Sequence, residues 1–225
     1  MNKLLLTLST FAVAFVTLTS PLAAQAEEIK GDAAAGKTKN AMCIGCHGIA
    51  GYQASFPEIY KVPKISGQGA KYIVSALNAY KKGERKHPSM RGIAESLSDQ
   101  DMADLAAYYS VHGVVEGATL AAKPSKEPSP QVAALLQKAA CISCHGENFA
   151  KPISPDYPKI AGQHSDYLYV ALKAYKTEGN PQIGRSNGVM AGMVKQFSNN
   201  ELKEIAKYVG SLDGDLKTVP QAKFR

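Results

Sequence analysis

The chain has 225 residues, of which 45% are hydrophobic and 20% are charged, and its formal net charge is +7 at pH 7. This composition is typical of a folded globular protein, and it excludes a polytopic membrane protein, a collagen-like fibre and a wholly disordered chain. The 26 basic residues are scattered rather than grouped in blocks, so the charge is poor evidence for nucleic-acid binding.

The N-terminus has the pattern of a secretory signal peptide. Lys3 precedes an apolar stretch over residues 4–18, and Ala-Gln-Ala at residues 24–26 provides a cleavage site of small residues. An uncleaved membrane anchor is the alternative, but a spanning helix needs roughly 20 apolar residues, and several Ser and Thr side chains interrupt this stretch. We therefore predict that residues 1–26 are a signal peptide and that the rest of the chain is exported.

Two copies of the sequence C-x-x-C-H carry the strongest chemical signal in the chain. Their residues are Cys43, Cys46 and His47 in the first copy and Cys141, Cys144 and His145 in the second. Two thiols three positions apart can add to two vinyl groups on one edge of a porphyrin, and the following imidazole can bind the iron. The motifs therefore predict two covalently attached haem c groups.

Three other uses of four cysteines explain the motifs less well. A zinc site with four thiolates gives no reason for a histidine after both pairs. A thioredoxin-type redox pair requires a βαβ context, and no strand pattern surrounds either motif. Ordinary disulfides are compatible with export, but they leave both histidines unexplained.

The sequence repeats itself with an offset of about 95 residues. The segment P-K-I-x-G-Q occurs at 63–68 and 158–163, and Y-x-x-x-A-L-x-A-Y-K occurs at 72–81 and 167–176. Two such repeats predict two domains. We place an N-terminal domain at 27–116 and a C-terminal domain at 130–225. The proline-containing segment 117–129 is predicted to be an extended linker between them.

Each half is predicted to be helical, without convincing strands. Asp32 can cap a helix that reaches Met42, and Ser129 with Pro130 can start its counterpart in the second half. Capping boxes are predicted for the closing helices at Ser98 with Asp101 and at Ser198 with Glu201. Gly113 and Gly214 are the predicted stops of these two helices.

The repeat also indicates the second axial ligand of each iron. Met90 stands seven residues before Leu97, and Met190 stands seven before Phe197. A thioether on the side opposite the motif histidine is typical of an electron-transfer haem. We therefore predict Met90 and Met190 as the distal ligands.

Each of these assignments has a rival. His87 is the alternative to Met90 in the first half, and Met193 is the alternative to Met190 in the second. Met193 corresponds to Ile93 in the repeat, which favours a packing role. If none of these methionines bound iron, both haems would lack an obvious strong-field ligand.

Two further expectations concern the surroundings of the haems. A ligating histidine usually donates its second N–H to a carbonyl group, and Pro63 and Pro158 follow their motifs at a suitable distance. The basic group at residues 81–86, which includes Arg85, could steer an acidic partner toward the first haem. Its alternative role is to offset a helix macrodipole.

The ordered motifs C-x-x-C-H, P-K-I-x-G-Q, Y-x-x-x-A-L-x-A-Y-K and a later methionine, present twice, resemble the dihaem cytochrome c4 family. The resemblance implies an all-α protein of two tandem class I cytochrome c domains, related by pseudo-twofold symmetry, each enclosing one haem c. It carries the iron-ligand role to His47, Met90, His145 and Met190, and the carbonyl role to Pro63 and Pro158.

Proteins of this family are periplasmic electron carriers that serve respiratory enzymes. The resemblance implies single-electron transfer between redox protein partners, toward a terminal oxidase or reductase, without enzymatic activity and without nucleic acid. Peripheral association with the membrane is compatible with this role. The alternative is the haem subunit of a flavocytochrome c sulfide dehydrogenase. A dihaem peroxidase or gas sensor would need an open iron site, which the two paired methionines argue against.

Overall fold

The computed structural model describes residues 29–221, so the predicted signal peptide lies outside the described residues. The first half contains helices Ala33–Lys39 (α1), Ala41–His47 (α2), Ala70–Lys81 (α3), Pro88–Glu95 (α4) and Asp99–Val111 (α5). The second half contains Pro130–Lys138 (α6), Ile142–His145 (α7), Ser165–Ala174 (α8), Gly188–Lys195 (α9) and Asn199–Gly210 (α10). Of the helices described, none has the length and apolarity needed to span a membrane. The five helices of each half follow the same order, as the sequence repeat predicts.

Short strands supplement the helices, although the sequence shows no convincing strand pattern. Gln53–Ala54 (β1) pairs with Tyr60–Lys61 (β2) inside the first half, and Arg85–Lys86 (β3) pairs with Gly184–Arg185 (β4) across the two halves. Both pairs are antiparallel. Strands of two residues are too short to produce an alternating pattern, which is why sequence periodicity misses them.

The predicted helix starts are confirmed by the capping contacts. The Ser98 and Ser198 side chains each accept from the N3 backbone N–H of α5 and α10, and the N3 carboxylates accept in return. Ser129 accepts from the N–H of Val132 at the start of α6. Asp32 caps α1, but that helix ends at Lys39 rather than reaching Met42.

The early end of α1 has a local cause, and α10 ends before the glycine predicted to stop it. The Asn40 carbonyl accepts from the N–H groups of Cys43 and Ile44, which starts α2 two residues before the first motif. Gly113, with φ of +72°, follows α5 as predicted. Gly214 does not stop α10, which ends at Gly210; a Cβ at Gly214 would lie 2.2 Å from the Ala161 carbonyl oxygen.

In the first half, α1 packs against α5 around a buried carboxylate. Asp104, 3% exposed, accepts from the Lys39 ammonium at 2.6 Å, the Asp32 N–H at 2.8 Å and the Gln100 side chain at 2.8 Å. These donors, the Lys39 ammonium first, hold the pKa of Asp104 below its ordinary value. The carboxylate thus joins α5 to α1, the helix that immediately precedes the one carrying the first cysteine motif.

Asp104→Ala is expected to lower the free energy of unfolding by about 2 kcal/mol, because three hydrogen-bond donors around a buried carboxylate lose their acceptor. The contribution is complete above the unfolded-state pKa and is lost as the pH falls through the lower folded-state pKa. Denaturant titrations at neutral and acidic pH measure both effects. Glu204→Ala, at the exposed equivalent position of α10, is the control. Equal losses in the two variants would contradict the prediction.

The repeated P-K-I-x-G-Q segment joins the two domains. The Gln68 side chain donates to the Lys159 carbonyl and accepts from the Lys159 N–H, both at 2.9 Å. Gln163 forms the same two bonds with Lys64, again at 2.9 Å. Both glutamines are buried. The two halves are therefore related by a pseudo-twofold axis, with each glutamine bound to the backbone of the other domain.

Other contacts extend this domain interface on either side. Lys61 pairs with Asp166 at 3.2 Å, and Lys173 pairs with Glu58. The Lys86 ammonium donates to the Asn180 carbonyl at 2.6 Å. Asn180 lies in the loop between α8 and β4, so this loop of the second half reaches the opposite domain.

The segment 117–129 contains no helix or strand, and it is packed against the second half. Leu120 contacts the hydrophobic core of that half, and the Ala121 carbonyl accepts from the Asn148 side chain at 2.6 Å. The chain end crosses in the other direction, since the Lys217 N–H donates to the Ser66 carbonyl at 2.9 Å. These segments fix the relative position of the two halves.

Replacing Gln68 by alanine is expected to cost about 1–3 kcal/mol of stability, because two backbone groups of Lys159 lose their buried partners. Adding Gln163→Ala is expected to separate the unfolding of the two halves into two transitions. Denaturant unfolding followed by both far-ultraviolet circular dichroism and haem absorption would resolve them. Gln137→Ala, on the exposed face of α6, is the control and should leave the curve unchanged.

Candidate functional site

One cavity of about 740 Å³ extends through both halves and across the interface between them. Its walls are mostly apolar and come from α2, α3, α4 and α5 and from their counterparts. The eight residues predicted to hold the two haems all line it: Cys43, Cys46, His47, Met90, Cys141, Cys144, His145 and Met190. The fold thus brings the two C-x-x-C-H motifs and the two methionines to one connected space.

The motif histidines are oriented by backbone carbonyls. The Nδ1 of His47 lies 2.7 Å from the Pro63 carbonyl oxygen, and the Nδ1 of His145 lies 3.0 Å from that of Pro158. A carbonyl can only accept, so Nδ1 carries the proton and the other ring nitrogen keeps its lone pair. The expectation that these two prolines hold the histidines is confirmed.

The charge state of both imidazoles suits a metal ligand. Burial lowers the pKa of His47 and of His145, although the proline carbonyls oppose that shift. The histidines are therefore neutral at pH 7, as iron ligation requires.

The cysteines are held as separate thiols at the cavity wall. Burial raises the pKa of Cys43 and of Cys141 to about 11. All four cysteines are free, and residues 29–221 contain no cluster of three His, Cys, Asp or Glu side chains that could hold a metal ion. The arrangement therefore offers two thiol pairs for two cofactors rather than a single four-thiolate centre.

The two methionines occupy equivalent positions in their helices. Met90 is the third residue of α4, whose N-cap His87 accepts from the Met90 N–H at 3.3 Å. Met190 is the third residue of α9, whose N-cap Asn187 accepts from the Met190 N–H at 3.0 Å. The structural equivalence of the two caps supports the pairing of these methionines in the repeat.

The rival ligands have different surroundings. His87 uses its Nδ1 as a helix cap, and its ring is also hydrogen-bonded to the Phe56 backbone. Met193 also lines the cavity, but it is 39% exposed, whereas Met190 packs against the hydrophobic core of the second half. These contacts favour Met90 and Met190.

A cluster of arginine and tyrosine side chains between the two haem sites was missed by the sequence reasoning. Arg85 and Arg185 are direct partners in the β3–β4 pair, so the pseudo-twofold axis passes between them. Arg85 donates to the hydroxyl oxygens of Tyr72 at 3.2 Å and Tyr167 at 2.5 Å. Arg185 donates to Tyr167 at 3.1 Å. Their offset of 100 residues, equal to that of the closing helices, is the signal that could have revealed the pair.

This cluster corrects the interpretation of the basic group at residues 81–86 as a docking surface. Arg85 points inward among the tyrosines, and its guanidinium lies 4.6 Å from the centre of the Tyr80 ring. The Lys81 ammonium donates to the Leu97 carbonyl, and Lys86 binds the other domain. The strand that follows the turn after α3 thus places Arg85 and Lys86 against the second half, while Lys82 is exposed, and charge counting along the sequence does not separate them.

The cluster has a positive potential that no described carboxylate offsets. Burial opposes ionisation of Tyr167, but the Arg85 and Arg185 guanidinium groups lower the pKa of this phenol to about 8. Neither arginine forms a salt bridge within residues 29–221, and the Nε of Arg85 is buried without a hydrogen-bond partner there. An anionic group facing this cluster would offset its positive charge and would accept a hydrogen bond from the Arg85 Nε.

The residues that line the cavity fit haem c, because this cofactor would bring the anionic groups that the arginine pair lacks. A haem attached at either motif carries two carboxylates, and Arg85 and Arg185, which also line the cavity, can hold them. Each half further supplies two thiols, a neutral imidazole and a thioether. The unpartnered Arg85 Nε is the feature that the haem-free chain leaves unexplained.

Comparison with known proteins agrees with this arrangement. The family described as Cytochrome c matches residues 33–110 and 131–213. Cytochrome c4 of Pseudomonas aeruginosa is 31% identical over 186 residues, which are 81% of this chain and 89% of that protein. The crystal structure of reduced recombinant cytochrome c4 from Pseudomonas stutzeri superposes with a TM-score of 0.59 at 29% identity, covering 81% of this chain and all of that one. A protein of Thiomonas intermedia named thiosulfate dehydrogenase electron acceptor is 26% identical, over 79% of this chain and 82% of its own.

Proposed function

The chain belongs to the cytochrome c4 family of c-type cytochromes, and we propose on this premise that it carries single electrons in the periplasm between respiratory redox proteins. The observation that carries the proposal is the single cavity lined by both C-x-x-C-H motifs and both paired methionines. Two redox centres that share one cavity can exchange electrons without a further cofactor.

The protein residues have defined roles in this proposal. When bound, each haem supplies an iron that accepts and returns one electron. The paired cysteines hold its edge, and His47 and His145 bind the iron in orientations set by Pro63 and Pro158. Met90 and Met190 would supply the remaining iron ligands and would leave no open position for a substrate. A site with this set of ligands in an apolar cavity would suit a carrier rather than a catalyst.

A protein that carries single electrons needs one redox protein as donor and another as acceptor. The similarity to an electron acceptor of thiosulfate dehydrogenase supports a carrier that meets a dehydrogenase transiently. The donor would supply one electron at a time, and a terminal oxidase or reductase would consume it. The haem subunit of a flavocytochrome c sulfide dehydrogenase is the alternative, and co-purification with a flavoprotein would favour it.

The proposal is tested on the exported holoprotein. We expect two covalently bound haems per chain, reversible uptake of one electron by each, and no reaction of the reduced protein with carbon monoxide. Rapid carbon monoxide binding would show an open iron site and overturn the carrier role in favour of enzyme or sensor chemistry. Recovery of the protein from the cytoplasmic fraction would overturn the periplasmic location.

A further inference from the structure

The two haem sites differ at one buried position of the closing helices. In the first half Tyr109 lies on the inner face of α5, and in the second half Val209 lies on the inner face of α10. Both side chains are 2% exposed, and both line the cavity. The first site therefore contains a phenol where the second has only an isopropyl group.

The two positions are structurally equivalent, so the difference does not come from a shift in the repeat. The Tyr109 carbonyl accepts from the Gly67 N–H at 2.8 Å, and the Val209 carbonyl accepts from the Gly162 N–H at 3.1 Å. Gly67 and Gly162 are the glycines of the two P-K-I-x-G-Q segments. The same backbone contact therefore places either side chain against its own cofactor site.

The Tyr109 hydroxyl is a buried hydrogen-bond donor beside the first cysteine motif. It is buried, and no residue within 29–221 forms a hydrogen bond of normal geometry with it. Its polar neighbour is the Cys43 thiol, one of the two predicted points of haem attachment. Once Cys43 is a thioether, its sulfur has no hydrogen to donate and can only accept.

We propose that the Tyr109 hydroxyl donates a hydrogen bond to the thioether sulfur that joins Cys43 to the first haem. This bond would raise the reduction potential of the first haem relative to the second. This inference rests on the proposed function. The positive end of an O–H dipole directed at the macrocycle favours the reduced form, which carries one more electron. Val209 supplies no such dipole to the second haem.

The test is a redox titration of the complete dihaem protein and its Tyr109→Phe variant, with the two haems distinguished by the NMR signals of their methyl groups. Phenylalanine keeps the ring and its packing, and it removes a hydroxyl that makes no hydrogen bond of normal geometry within residues 29–221, so the variant should fold. At a fixed ambient potential we expect the ratio of oxidised to reduced first haem to rise by about 2- to 10-fold, which is the range for a neutral hydrogen bond. The second haem should not change.

Tyr108→Phe is the matched control, because Tyr108 is the neighbouring phenol on the same helix and does not line the cavity. An unchanged first haem in Tyr109→Phe would overturn the inference, as would equal shifts of both haems or an equal effect of Tyr108→Phe. If the wild-type protein takes up two electrons reversibly while Tyr109→Phe has no effect, the inference fails and the proposed carrier function stands. A wild-type protein without two reducible haems would instead refute the function.

Discussion

Replacing Met190 by alanine is expected to halve the methionine–iron(III) charge-transfer absorption of the oxidised holoprotein. Met190 is the third residue of α9, as Met90 is of α4, and each has its N–H bound by the N-cap side chain. With two equivalent methionine-ligated haems, removal of one thioether leaves half of the signal. The reduction potential of the second haem should also fall, because thioether sulfur favours the reduced iron more than a nitrogen or oxygen replacement does.

The neighbouring methionine provides the control for this experiment. Met193 lies one turn further along α9 and is 39% exposed, so Met193→Ala should keep the full absorption. If Met193→Ala halves the band while Met190→Ala leaves it intact, the ligand assignment in the second half is wrong. A band that is absent in the wild-type protein would contradict both methionine assignments.

Replacing Arg85 by glutamine is expected to lower the free energy of unfolding of the holoprotein by about 3 kcal/mol, because a buried carboxylate of the haem would lose its cationic partner. Both reduction potentials should fall as well, since Arg85 and Arg185 meet at the pseudo-twofold axis between the two sites. Loss of a positive charge there favours the oxidised form of each haem. Denaturant unfolding and redox titration of the same sample measure the two effects.

A second arginine of the same half separates this effect from loss of charge in general. Arg91 lies on α4, pairs with Glu95 at the surface, and its side chain is 57% exposed. Arg91→Gln should change stability by no more than about 0.5 kcal/mol. If both variants behave alike, Arg85 does not hold a haem carboxylate.

The Arg85–Arg185 pair also bears on how the domains assemble. Two like charges meet at the interface, and their hydrogen bonds within the described residues are to tyrosine hydroxyls rather than to carboxylates. Bringing them together in a haem-free chain is unfavourable unless an anion is supplied. Bound haem carboxylates would complete this part of the interface, while Gln68 and Gln163 provide its neutral part.

Much of the fold could be predicted because its signals are local. The capping boxes at Ser98 and Ser198 involve residues three positions apart, and the cysteine motifs span five residues each. The internal repeat then extended each local signal to a second position, which paired Met90 with Met190. A helix break such as the one at Asn40 was missed, because it depends on hydrogen bonds that no propensity reveals.

Thiol spacing, the following histidine and the paired methionines are covalent properties of the chain, so the groups offered to each haem can be read from the amino-acid order. How the two halves meet depends on their packing in three dimensions. This packing turned a repeated loop into the contacts of Gln68 and Gln163, directed Arg85 inward, and placed Tyr109 opposite Val209 in matching sites. Such pairings join residues roughly a hundred positions apart, and they depend on packing across a pseudo-twofold axis that local patterns do not encode.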